Sequence, residues 1–144
     1  MVVSVLAINL LIDGYNSESE IELLTKKASA FTASCLSINQ KLCFCRSKLG
    51  QVYARAAYRA YLTGWDPQTW LQRAGENLTV AQKQNAGLDA EQGAALAHIV
   101  EASVLVQGKQ DARPALLAVK EDLARCFRMA PNDATCRAHA VEAE

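Results

Sequence analysis

The sequence predicts an all-α fold of stacked antiparallel helix pairs, an α-solenoid of about seven helices. Three observations lead there: a composition poor in helix breakers, turn signals at even spacing, and an internal period near 45 residues. The 144 residues hold only three prolines and seven glycines, with 51% hydrophobic and 21% charged side chains. That balance belongs to a packed globule and not to a disordered chain. β-Branched residues are sparse outside 2–12 and 99–106, which disfavours sheet. The length suits one domain, so residues 1–144 are expected to form a single helical-repeat unit of about three helix pairs.

The elements follow in chain order. Residues 2–12, VVSVLAINLLI, are apolar on every face and are followed by the turn signal Asp13-Gly14. They lack the basic leader of a signal peptide, and no run of the chain reaches the 18–20 apolar residues of a membrane span. A core helix is expected over 2–13, one that needs cover on both sides. Further turn signals stand at Asn39-Gln40, Gly64-Trp65-Asp66-Pro67, Asn85-Ala86-Gly87, Gly108 to Asp111 and Ala130 to Asp133. The segments between them run to about 17–20 residues, too long for strands. Asp66-Pro67 has the form of an N-cap followed by proline at the first helical position, and Asp111 with Pro114 is a looser copy. Gly64 and Gly108 stand where helices end and a positive φ is expected. Within the segments the apolar residues keep helical spacing. The faces are Leu24, Ala28, Phe31, Cys35 and Ile38; Leu49, Val52, Ala56 and Ala60; Leu71, Ala74, Leu78 and Ala81; Leu96, Ile99, Ser103 and Val106; and Leu116, Val119, Leu123 and Cys126.

The period joins the segments. Asp66 and Asp111 are 45 apart, as are Leu71 and Leu116, and Leu78 and Leu123; Cys35 and Cys126, and Cys45 and Cys136, are 91 apart. A fixed period of this size marks stacked helical hairpins, each burying its apolar face against its neighbours. Both ends fall in mid-unit, the expectation for a piece of a longer array or for a chain that covers its open face by self-association through residues 2–12.

Several motifs resemble the tetratricopeptide (TPR) repeat. Leu49-Gly50-x-x-Tyr53 is similar to its first-helix signature, and Cys126 followed by Pro131 is similar to the close of its second helix. Gly64, Asp66, Pro67, Leu71 and Ala74, with a weaker copy at Gly108, Asp111, Pro114, Leu116 and Val119, resemble the long-helix TPR arrays attached to bacterial serine/threonine kinases. The departures are the period, near 45 in place of 34, and the missing early tryptophan. HEAT-like repeats share the longer period and are the second choice of fold. The resemblance implies a right-handed superhelix whose first helices line a concave groove that holds a segment of a partner protein. It carries the groove onto Ser47, Gln51, Arg55 and Arg59 in one unit and onto Ala94, His98 and Glu101 in the next. A non-catalytic scaffold, or the regulatory fragment of such a kinase, is the implied role.

Charge refines the partner. The net charge is zero, yet Leu23 to Trp65 contains no acid while holding Lys26, Lys27, Lys41, Arg46, Lys48, Arg55 and Arg59. Arginine grips a carboxylate through two parallel hydrogen bonds, so an acidic peptide is the expected ligand. RNA stacking on Tyr53, Tyr58 and Tyr61 is the weaker alternative, because the basic residues form no clean stripe.

Of five cysteines, Cys35 and Cys45 flank one turn and Cys126 and Cys136 flank another. Across an antiparallel hairpin each pair either fills the core as small apolar residues or closes a disulfide. Zinc spacing is absent: Cys43-x-Cys45 is too tight and Cys136-x-x-His139 stands alone, so neither metal nor cofactor is expected. No nucleophile elbow, P-loop or kinase signature is present, and the neighbours Glu121 and Asp122 point different ways on a helix. Without a targeting signal the cytoplasm is the default compartment, and paired cysteines would move the protein outside it.

Overall fold

The structure, a computed structural model, describes residues 18–38, 43–84 and 87–142. They form six helices: α1 Glu18–Ile38, α2 Cys43–Thr63, α3 Gln68–Lys83, α4 Leu88–Gln107, α5 Arg113–Met129 and α6 Ala134–Glu142. There is no strand among the described residues. The helix expected over 2–13, with its self-association surface 2–12, lies outside them. So do the turns at Asp13-Gly14 and Asn39-Gln40 and most of the one at Asn85-Ala86-Gly87. Gly64 to Pro67, Gly108 to Asp111 and Ala130 to Asp133 each separate two observed helices.

The helix ends show why. Asp66 Oδ1 accepts the Gln68 N–H at 3.0 Å, and Asp111 Oδ1 accepts the Arg113 N–H at 3.0 Å. Asp133 Oδ1 accepts the Cys136 N–H at 2.9 Å. Three helices thus begin on an aspartate that satisfies an otherwise unpaired amide. At the end of α2, Trp65 N–H donates to Ala60 C=O and Gly64 N–H to Tyr61 C=O, a Schellman closure with Gly64 at φ 84°. The end of α4 closes the same way, Gln110 to Leu105 and Lys109 to Val106, but one residue later than the sequence suggests. Gly108 has φ −80°, and Lys109 takes the left-handed position at φ 55°.

Each described helix packs on the next, and α2, α4 and α6 also touch one another in a row. The largest apolar cluster lies where α2 meets α1, α3 and α4. Ala54, Ala56, Ala57 and Ala60 of α2 are fully buried there, with Val52, Leu78 and Val100 around them. Small residues let these helices approach closely. Leu78 of α3 fills the space left by two glycines: a Cβ on Gly50 of α2 would lie 2.5 Å from Leu78 Cγ, and one on Gly93 of α4 would lie 2.9 Å from its Cδ2.

The anticipated faces are buried along most of their length. They fail at helix ends, where Ile38, Val106 and Leu116 are exposed. On α5 the buried residue of the first turn is Ala115, one position before Leu116. The alternatives left open for the cysteines are resolved by two disulfides. Cys35–Cys45 joins α1 to α2 with Cα atoms 6.5 Å apart, and Cys126–Cys136 joins α5 to α6 at 6.2 Å. In the central hairpin a Gln82–Glu91 hydrogen bond of 3.0 Å spans a similar position.

A candidate binding groove between α3 and α4

An open groove of about 390 Å³ runs between α3 and α4. Gln68, Thr69 and Gln72 line it from α3, and Ala97, His98 and Glu101 from α4. Helical spacing explains the lining: 68 and 72, and 98 and 101, each share a helix face. Gly75 forms part of the α3 wall, and a Cβ there would meet nothing within 4 Å.

His98 connects the groove to a buried charge cluster behind it. Its Nδ1 is hydrogen-bonded to Oδ2 of Asp122, a residue of α5 with only 1% exposure. The other Asp122 oxygen accepts from Nη2 of Arg125. Arg125 Nε donates to Glu91 Oε2 at 2.9 Å, and that oxygen also accepts from Gln82 Nε2 at 3.0 Å. Two buried carboxylates are therefore compensated by one guanidinium and one imidazole, as charges removed from water require. The hydrogen bond to Asp122 raises the pKa of His98 above its ordinary 6.5, against the opposing effect of burial. The Glu91 hydrogen bond likewise holds Arg125 in its charged form.

The side chains expected at a partner surface divide into three groups. His98 and Glu101 line the groove, and Glu101 is exposed. Arg55 and Arg59 are half-buried on α2, outside the lining of this groove. Ser47 and Gln51 belong to the packing instead. Ser47 is fully buried, because it shares a face of α2 with the buried Gly50 and Ala54, three and seven residues on, so its assignment to a groove is corrected. Gln51 Nε2 donates to Asp89 C=O at 3.1 Å and lies 3.4 Å from Gln92 Oε1, bridging α2 to α4. Tyr53 is likewise spent in the core. It stacks on Trp70 with ring centroids 6.3 Å apart, and Arg73 lies over both rings.

Comparison of the chain with protein-family models, with curated proteins and with solved structures finds no match. The site therefore stands on its own geometry.

Two features escape a reading by motif. Asp122 sits at the inward spacing of Val119, Leu123 and Cys126, and an acid on a buried face is the signal that marks it. A polar ladder crosses the row α2, α4, α6: Gln51 to Gln92, then Gln92 Nε2 to Asp133 Oδ1 at 2.9 Å, each step 41 residues. Lys48 pairs with Asp89 at 2.9 Å beside its first rung.

Proposed function

We propose that this chain is a non-catalytic protein-interaction module of TPR-like, solenoid architecture, and that the α3–α4 groove holds a segment of a partner protein. The observation that carries the reading is Gly75. A glycine inside a helix costs about 1 kcal/mol relative to alanine and needs a reason in packing or function. Gly50 and Gly93 have such a reason in Leu78; a Cβ at Gly75 would meet nothing within 4 Å. Its use is to keep the groove open beside His98.

The ladder supports the repeat. Contacts along the row recur at 41 residues, whereas equivalent aspartates recur at 45. Neighbouring helices of the row thus run in the same direction and are offset by about one helical turn. A constant offset between successive units winds a stack into a superhelix.

The groove offers amide and hydroxyl groups from Gln68, Thr69 and Gln72, an imidazole from His98 and a carboxylate from Glu101. Because Asp122 occupies Nδ1, Nε2 is the nitrogen left for a ligand. The protonated ring donates there to a carboxylate or carbonyl. The reading keeps an acidic partner segment but seats it on His98. No helix among the described residues is long and apolar enough to cross a membrane. Two disulfides favour an oxidising compartment outside the cytoplasm over the default drawn from the missing targeting signal.

The test begins with peptides selected from a random library against the immobilised protein. Gln72→Ala and Glu101→Lys alter exposed side chains and leave the fold intact. Each is expected to change peptide affinity about fivefold or more, while Arg113→Ala on α5 leaves it unchanged. Selected peptides that ignore both groove variants would remove the assignment.

A further inference from the structure

The hairpin of α5 and α6 carries a group of side chains that the proposed function does not use. Cys126 of α5, Asp133 before α6 and Cys136 of α6 place one ligand atom each within 4.8 Å of one another, and both sulfurs belong to fully buried residues. Asp133 Oδ1 accepts from the Cys136 N–H and from Gln92 Nε2, which fixes the carboxylate from two sides, and Oδ2 has no hydrogen bond among the described residues. His139 lies one helical turn beyond Cys136.

We propose that this hairpin has two states: the disulfide, and a dithiol state in which Cys126, Cys136 and Asp133 bind a thiophilic divalent cation of the zinc type. Two thiolates and a carboxylate are a zinc donor set, with a fourth position for water or one further side chain. The chemistry balances with a small-molecule thiol as reductant. Two thiols reduce the Cys126–Cys136 bond, giving two cysteine thiols and one small-molecule disulfide. Each cysteine then loses its proton to the buffer as its sulfur bonds to the cation. Helix α6 has nine residues, short enough to fray and admit a reductant.

The molecule contains its own control. Cys35–Cys45 spans the same ten residues between α1 and α2, yet no acid or histidine stands between those two cysteines. Reduction of that hairpin gives thiols without the carboxylate, and because Cys43 adds a third thiol there, the Cys35→Ser, Cys45→Ser variant is what separates the two hairpins.

The experiment uses the full chain reduced by a phosphine, then desalted and titrated with Co²⁺ and Zn²⁺. Thiolate-to-cobalt absorption at one ion per chain is expected, bleached by Zn²⁺, and absent from the oxidised protein. Asp133→Asn preserves the helix cap, because asparagine caps as well as aspartate. It should weaken binding at least about tenfold, and Gln92→Ala about tenfold through loss of carboxylate orientation. A double Cys35→Ser, Cys45→Ser variant should bind as the parent does. Because loss of a disulfide lowers stability, Zn²⁺ is also added during thermal melts, where it should raise the Tm of the reduced protein and leave that of the oxidised protein unchanged. Absorption that survives Cys126→Ser with Cys136→Ser, indifference to Asp133→Asn, or no binding and no Tm shift in the reduced parent would each overturn the proposal.

Discussion

Helix α3 meets its neighbours along two seams built on opposite plans. Toward α2 and α4 it presents Leu78, which fits against Gly50 and Gly93 with no room for another carbon. On the groove side it presents Gln68, Gln72 and Gly75, with open space and a histidine opposite. The inner seam is made of apolar atoms at close approach, and its glycines serve packing. The groove mixes polar side chains with Leu71 and Ala97, and the carboxylates of Glu91 and Asp122 lie buried behind its histidine. The same residue type thus has two meanings in one helical layer, and the space a Cβ would occupy tells them apart.

The largest expected effect comes from the charge cluster. Asp122→Ala leaves Arg125 and His98 without their shared carboxylate and should cost about 3 kcal/mol in urea unfolding. A loss below about 1 kcal/mol would show that the cluster is solvated and not a core. The inner seam should be next. Gly50→Ala gains about 1 kcal/mol of helix propensity but forces Leu78 aside, for a net loss of about 1–2 kcal/mol by the same measurement. If this variant is instead more stable, the close fit is wrong.

The cluster should also respond to pH. The pKa of His98 is raised in the folded protein, so its contribution is complete below pH 6.5, the ordinary imidazole value, and is lost as the pH rises through the higher folded value. Asp122, Glu101 and Arg125 are the charged groups that act on it. Stability measured from pH 6 upward should therefore fall more steeply in the parent than in His98→Gln. Parallel curves would place the titration elsewhere. The smallest effect is at the end of α4. Lys109→Gly relieves a left-handed side chain at φ 55° and should add about 0.5–1 kcal/mol.

Much of the helical plan is legible in the sequence. Gly64, Asp66, Asp111 and Asp133 act through their own backbone and their immediate neighbours, so their roles can be read locally. The paired cysteines are visible as positions, although whether they bond depends on how the helices cross. The groove is less legible. His98 and Glu101 enter only through the resemblance to a helical repeat, the wall opposite them comes from α3, and no local pattern in Gln68, Thr69 and Gln72 announces it. Ser47 shows the converse: a polar residue at groove spacing is drawn inside because α2 is surrounded by three helices. The ladder of Gln51, Gln92 and Asp133 has a spacing of 41 that competes with the 45 of the turns. Only the lateral stagger of the helices reconciles the two.

The central claim is that the α3–α4 groove is kept open for a partner segment. Gly75→Leu tests it most directly, since a Cβ there meets nothing within 4 Å and the position lines the groove on its α3 wall. The account predicts a protein at least as stable as the parent that has lost library-selected peptides by tenfold or more. A Gly75→Leu protein that binds them with parental affinity would contradict it.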